Sequence, residues 1–127
     1  MAIKPDFHEA WYNRGVSLAK LQKYEEAIAS YDKAVAIKPD KHEAWNNRGW
    51  SLEKLQKYEE AITSYDKTIV IKPDYHEAWC GRGVSLWYLH RYEEALKSYK
   101  KAISIKPDFQ PAINNHNDLL RQLGRLN

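Results

Sequence analysis

Residues 8–41 read HEAWYNRGVSLAKLQKYEEAIASYDKAVAIKPDK, and residues 42–75 repeat the pattern as HEAWNNRGWSLEKLQKYEEAITSYDKTIVIKPDY. A step of 34 residues is kept by the tryptophans, the glycines and two sets of tyrosines, namely Trp11, Trp45, Trp79, Gly15, Gly49, Gly83, Tyr24, Tyr58, Tyr92, Tyr31, Tyr65 and Tyr99. Counted from Pro5 and Pro39, the first two units agree at 26 of 34 positions. A fixed period of this length indicates a repeat architecture, in which each unit adds one supersecondary element to a stack.

Each unit predicts two amphipathic helices joined by a short turn. In the first unit the apolar stripe of the first helix contains Trp11, Gly15, Leu18 and Leu21, and a break follows near Gln22. The apolar positions of the second helix have the 3.6-residue period, and they are Tyr24, Ala27, Ile28, Tyr31, Ala34 and Val35. Asp6 with Glu9 predicts an N-terminal cap for the first helix, and Pro39 predicts the end of the second.

The composition agrees with a folded chain and excludes several functional classes. The 127 residues are 43% hydrophobic and 13% aromatic, which is too apolar for a disordered tail. Lys and Arg exceed Asp and Glu by only three (20 against 17), well short of the excess of a typical nucleic-acid binder. The longest apolar runs have four residues, and no secretory signal precedes the first unit. We therefore expect a cytoplasmic protein that binds neither membranes nor nucleic acids.

The spacing of Trp, Gly, Leu, Tyr, Ala and Pro resembles the tetratricopeptide repeat. This resemblance implies an all-α solenoid of antiparallel helix-turn-helix units, with about seven helices wound in a right-handed superhelix. In the phase of that family the units are residues 8–41, 42–75 and 76–109, preceded by the tail of another unit (1–7) and followed by a capping helix (110–127). The capping helix is expected to bury Ile113, Leu120 and Leu123.

Catalytic and metal-binding patterns fail when their spacing is checked. His8, His42 and His76 each precede a Glu, but the residue four positions after each His is Tyr, Asn or Cys, so the second ligand of a zinc protease is missing. Exposed histidines at the start of each unit are the better interpretation. Cys80 has no evident activating base and cannot form an internal disulfide. We expect no enzyme activity, no cofactor and no metal.

Three arginines recur at the same step, Arg14, Arg48 and Arg82. One interpretation is a row of guanidinium groups that binds an anionic partner. The other is a set of structural contacts with neighbouring aromatic rings or carboxylates. The constancy of the row favours the structural role.

In proteins of the resembling family, the first helices of the units line a concave groove that binds peptides. The predicted peptide-binding residues here are Tyr12, Val16, Asn46, Trp50, Glu53, Cys80, Val84, Trp87 and Tyr88. They vary between units while the packing positions scarcely change. On formal charge, the positions expected to line the groove contain four Glu and two Lys. The groove is therefore mildly acidic, which favours an apolar peptide with some basic residues as the partner. The family's clamp for a C-terminal carboxylate does not carry over, because only Asn47 matches it and Tyr12, Val16 and Glu77 do not.

Three functional hypotheses follow, in order of preference. The first is a non-enzymatic scaffold that binds a peptide or helix in the groove. The alternative is a structural module that self-associates by stacking its open ends or by domain swapping, which makes a homo-oligomer possible. RNA binding is the least favoured, because the groove is not basic.

Overall fold

The computed structural model describes residues 7–126 and contains seven α-helices and no strand in that range. The helices are α1 His8–Lys20, α2 Tyr24–Ile37, α3 His42–Lys54, α4 Tyr58–Ile71, α5 His76–Tyr88, α6 Tyr92–Ile105 and α7 Gln110–Gln122. Each unit pairs an odd-numbered helix with the even-numbered helix that follows, and each even-numbered helix also packs on the next odd-numbered one. The predicted all-α solenoid is therefore confirmed. The predicted tail at residues 1–7 lies outside the described residues except for Phe7.

The turn inside each unit ends the first helix with the same hydrogen bonds. In the first unit the Lys23 N–H donates to the Leu18 carbonyl at 2.8 Å, and the Gln22 N–H donates to the Ala19 carbonyl at 2.9 Å. This pairing is the Schellman motif, which requires a left-handed residue. Gln22 supplies it with a φ of 61°, and Gln56 and His90 do so in the later units. The predicted break near Gln22 is thus a defined cap.

In each unit, a tyrosine of the second helix packs against a glycine of the first helix. A Cβ atom placed on Gly49 would lie 2.9 Å from the Tyr65 ring, and one placed on Gly81 would lie 2.4 Å from it. Tyr65 is only 2% exposed. The small residues therefore let the helices approach closely enough to enclose the ring, which explains why glycine and tyrosine recur together.

The periodic tryptophans secure the connections between units. The Trp45 indole N–H donates to the Pro39 carbonyl at 2.9 Å, and the Trp79 indole N–H donates to the Pro73 carbonyl at 2.8 Å. Each proline follows the end of a helix, since α2 stops at Ile37 and α4 at Ile71. The end predicted from Pro39 is therefore confirmed.

The predicted cap of α1 by Asp6 lies outside the described residues, and Phe7 is the N-cap residue that the structure describes. Two other local expectations need correction. Leu21 is 67% exposed rather than buried, because it follows the end of α1 and no preceding unit covers it among the described residues. In α7 the expected burial is only partial: Leu120 and Leu123 pack against the core but, like Ile113, are half-buried, and the fully buried residues are Ala112 and Leu119, since no further helix of the described chain packs on the outer side of α7.

Candidate functional site

The predicted groove residues lie on α1, α3 and α5, the first helices of the three units. Three depressions along these helices have volumes of about 180, 450 and 260 Å³. Trp50 lines both the first and the second, and Val84 lines both the second and the third. The depressions therefore form one continuous surface, here called the groove, whose parts are the N-terminal, central and C-terminal depressions.

Most of the predicted residues meet in the central depression. It is lined by Asn46, Trp50, Glu53, Cys80 and Val84. Val16 lines the N-terminal depression, and Trp87 and Tyr88 line the C-terminal one. Tyr12 lines none of the three, but its hydroxyl accepts a 2.9 Å hydrogen bond from the amide of Asn47, a residue of the N-terminal depression.

The aromatic side chains of the groove are positioned by the second helices and by α7. The Trp50 ring contacts the edge of Tyr24 at 5.7 Å between centroids, and the Tyr88 ring stacks on Tyr58 at 4.5 Å. Trp50 is nevertheless 41% exposed and Tyr88 is 48% exposed. These rings are held in place and still present a large apolar area, which suits contact with a partner.

Trp87 has a structural role as well. Its indole N–H donates to the side-chain oxygen of Gln122 on α7 at 2.8 Å. The ring also contacts Tyr88 at 4.9 Å. Trp87 therefore joins the capping helix to the third unit in addition to lining the groove.

Glu53 gives the central depression its acidic character. Its carboxylate accepts a 3.0 Å hydrogen bond from the Tyr65 hydroxyl. Burial raises the pKa of Glu53 above its usual range, and the Tyr65 hydrogen bond and Lys54 oppose that rise only in part. The protein thus keeps a carboxylate in a place that disfavours its charge.

Cys80 and Asn46 complete the floor of the central depression. Burial raises the pKa of the Cys80 thiol to about 11, so the thiol stays protonated and unreactive at neutral pH. Asn46 is only 7% exposed, and its side-chain oxygen has no hydrogen-bond partner within residues 7–126. A buried acceptor of this kind is costly unless a donor reaches it.

The arginine row lies outside the groove and joins the helices. Arg48 on α3 donates to Ser64 of its own unit at 2.6 Å and to Asp32 of the preceding unit at 2.6 Å. Arg82 makes the same pair of bonds with Ser98 and Asp66, both at 2.8 Å, and Arg14 donates to Ser30. These contacts assign the arginines a structural role.

The histidines are half-buried rather than exposed, so that prediction is wrong in part. The His42 ring contacts the edge of Tyr75 at 5.0 Å, and the His76 ring contacts Phe109 at 4.6 Å. Each partner is the last residue of the unit that its histidine begins, a position that the sequence pattern alone did not single out. In the part of the chain that the structure describes, no three His, Cys, Asp or Glu side chains are grouped as metal ligands would be.

Comparison with known families identifies the repeat. The tetratricopeptide repeat model matches three consecutive segments, residues 8–41, 42–75 and 76–109. The chain belongs to the tetratricopeptide repeat family. The predicted resemblance, with three repeats and a capping helix, is confirmed. None of the curated proteins compared matches the sequence.

Solved tetratricopeptide repeat domains share the whole fold. The first such domain of Spaghetti (RPAP3), bound to the HSP90 peptide SRMEEVD, superposes with a TM-score of 0.91 at 24% identity and covers 96% of this chain and 97% of that chain. The first domain of human RPAP3 gives 0.90 at 25% identity, covering 95% of each chain. The second, in complex with the HSP70 peptide SGPTIEEVD, gives 0.87 at 26% identity and covers 91% of this chain and 98% of that chain.

Sequence reasoning missed the contribution of α7 to the groove. Asn115 lines the central and C-terminal depressions, and Asp118 and Gln122 line the C-terminal one. Asp118 and Gln122 occupy the same places in the repeat frame as Trp50 and Lys54. Extending that frame into the capping helix would have identified both residues.

No helix within residues 7–126 combines the length and the apolar character that crossing a membrane requires.

Proposed function

We propose that this tetratricopeptide repeat protein is a non-enzymatic scaffold that binds a peptide segment of another protein in its groove. The observation that carries the proposal is the row of positioned but exposed aromatic rings along three linked depressions, with Trp50 and Tyr88 the most exposed. Rigid aromatic side chains of this kind are typical anchors of protein interfaces. The related RPAP3 domains, which were solved with bound peptides, support the same use of the fold.

The charge of the groove favours a partner different from theirs. The peptides SRMEEVD and SGPTIEEVD each end in two Glu, a Val and an Asp. The central depression of this chain has Glu53 and Glu77 in its lining. Carboxylates on both sides would repel each other. The partner we propose is an apolar segment with basic residues, and the same charge disfavours a nucleic-acid backbone.

Selection from a displayed peptide library tests the proposal. We expect wild-type protein to enrich apolar peptides that carry Lys or Arg, and Trp50→Ala to weaken their binding by at least about 1 kcal/mol. Val70→Ala is the control, because Val70 is an apolar residue that is 79% exposed on α4 and lines none of the three depressions. Unchanged affinity in Trp50→Ala would place the interaction elsewhere.

A second candidate function is self-association through the first unit. Leu21 is 67% exposed, whereas its counterparts Leu55 and Leu89 are half-buried. Leu55 lines a depression together with residues 22–26 of the first unit. A preceding unit therefore partly covers this position in the second unit. Sedimentation over a range of concentrations tests it, since self-association requires a concentration-dependent mass that Leu21→Glu lowers. A constant monomer mass excludes this candidate.

A further inference from the structure

The central depression is rich in hydrogen-bond acceptors and has no basic side chain in its lining. Glu53 and Glu77 contribute carboxylates, and Asn46 contributes a buried oxygen that no donor within residues 7–126 reaches. Buried polar atoms of folded proteins are nearly always hydrogen-bonded, so an orphaned acceptor in a cleft needs an explanation. A hydrogen-bond donor supplied by a ligand would explain it directly.

The nearby lysine does not supply that donor. The Lys54 ammonium lies over the Trp50 ring, 5.0 Å from its centroid, and Lys54 is not part of the lining of the central depression. The hydrogen bond that Tyr65 donates to Glu53 comes from a neutral hydroxyl group. The acidic centre of the groove is therefore without a cationic partner inside the depression.

We propose that the central depression receives one basic side chain of the bound peptide, an arginine or a lysine. The proposal rests on the proposed function, and it names the side chain that this part of the groove selects. The charged end would donate to the Glu53 carboxylate and, once the Asn46 side chain rotates to expose its buried oxygen, to that oxygen as well, with Glu77 adding negative charge at a more exposed position. Val84 and Trp50 offer apolar walls to the aliphatic stem.

The side chain can be tested apart from any peptide. The probes are N-acetyl-L-arginine methylamide and its lysine equivalent, and the control probe is N-acetyl-L-citrulline methylamide, which has the shape of arginine without its charge. Nuclear magnetic resonance of ¹⁵N-labelled protein at low salt follows the Trp50 indole N–H and the side-chain amides of Asn46 and Asn115. We expect a saturable shift of these signals with a basic probe and binding of citrulline weaker by about two- to fivefold.

Two substitutions locate the binding. Glu53→Gln keeps an acceptor for Tyr65 while removing the charge, and it should weaken binding of the basic probe by about two- to fivefold. Glu60→Gln makes the same change at an exposed position near the start of α4, outside the depression, and should leave binding unchanged. Asn46→Ala should weaken binding without changing the net charge. Equal binding of citrulline, or equal binding to wild type and Glu53→Gln, overturns the proposal.

The outcomes separate this inference from the proposed function. If selected peptides depend on Trp50 but lack basic residues, and the basic probes do not shift the groove signals, the scaffold function stands and the basic-side-chain inference is overturned. If the basic probes bind at Glu53 while no peptide binds the groove, the depression recognises a basic group, but the peptide-scaffold proposal fails and the assignment of that group to a peptide is overturned with it.

Discussion

The first helices of the repeats present two faces that share a backbone and differ in what they do. One face repeats from unit to unit, and its arginines bond to serines and aspartates of the second helices. The other face changes from Tyr12 to Asn46 to Cys80 and surrounds the groove. The repeated face therefore holds the stack together, and the variable face is free to serve binding. Substitutions on the two faces should separate stability from affinity.

The largest effect on stability is expected at Tyr65 of α4, whose ring packs against glycines of the first helices. Tyr65→Ala removes a ring that is 2% exposed and enclosed by Gly49 and Gly81, and it should lower the free energy of unfolding by about 3–5 kcal/mol. Urea unfolding measures the loss. Tyr65→Phe is the control, because it keeps the ring and removes only the hydroxyl. A loss in Tyr65→Ala no larger than in Tyr65→Phe contradicts the packing account.

The close approach of α5 to the Tyr99 ring predicts the second-largest loss of stability. A Cβ atom on Gly83 would lie 2.5 Å from the Tyr99 ring, so Gly83→Ala should destabilise the protein by about 1–3 kcal/mol despite the better helix propensity of alanine. Asn117 is the matched position in α7. Within the described residues no second helix follows α7, so no tyrosine of such a helix packs against this position. Thermal unfolding should show Asn117→Ala to be nearly neutral. An equal loss in the two variants would remove the steric explanation.

The arginine row offers an internal comparison of its own. Arg48→Met breaks bonds to both Ser64 and Asp32, and it should cost about 1 kcal/mol of unfolding free energy, since the Asp32 side chain is half exposed. Within residues 7–126, Arg14→Met breaks a single hydrogen bond, the one to Ser30, and should cost less. Urea unfolding of both variants at low and high salt checks the order. If Arg14→Met is the more damaging, the contacts between units are not what the row provides.

The smallest change in stability is expected for Glu53→Gln on the variable face, and it is a gain rather than a loss. Because burial raises the pKa of Glu53 in the folded protein, folding favours its protonated form and stability falls as the pH rises from the unfolded pKa through the folded one. Glu53→Gln should therefore unfold at a slightly higher temperature than wild type at pH 7. Thermal unfolding measured against pH should show this difference shrinking as the pH falls from the raised folded pKa, and vanishing below about pH 4.3, the ordinary pKa of a glutamate. A less stable variant at pH 7 contradicts this account.

The sequence predicts the repeated face well because its residues are constrained by a period. Trp45, Gly49 and Tyr65 recur at one spacing and meet the contacts that the spacing implies. For the arginines, the sequence predicts structural contacts but not the partners, since the bond from Arg48 to Asp32 joins side chains of different units. Lys100 stands where Asp32 and Asp66 stand in the earlier units, so the row ends with the third unit.

The variable face is less predictable because its side chains are placed by neighbours outside the pattern. Whether Trp50 projects freely or lies against Tyr24 depends on the angle between helices of different units. The bond from Trp87 to Gln122 depends on where the capping helix docks. The orphaned oxygen of Asn46 follows from packing on several sides. None of these facts leaves a signal at a fixed spacing.

The most direct test of the division between the two faces measures two quantities on two variants. For a peptide selected on wild type, affinity by calorimetry and unfolding free energy by urea are compared in Trp50→Ala and Arg48→Met. We predict that Trp50→Ala loses at least about 1 kcal/mol of binding with a smaller change in stability. Arg48→Met should lose stability while the folded protein binds as tightly as wild type. If Trp50→Ala keeps its affinity, or Arg48→Met loses as much binding as Trp50→Ala, the division between a structural and a binding face is wrong.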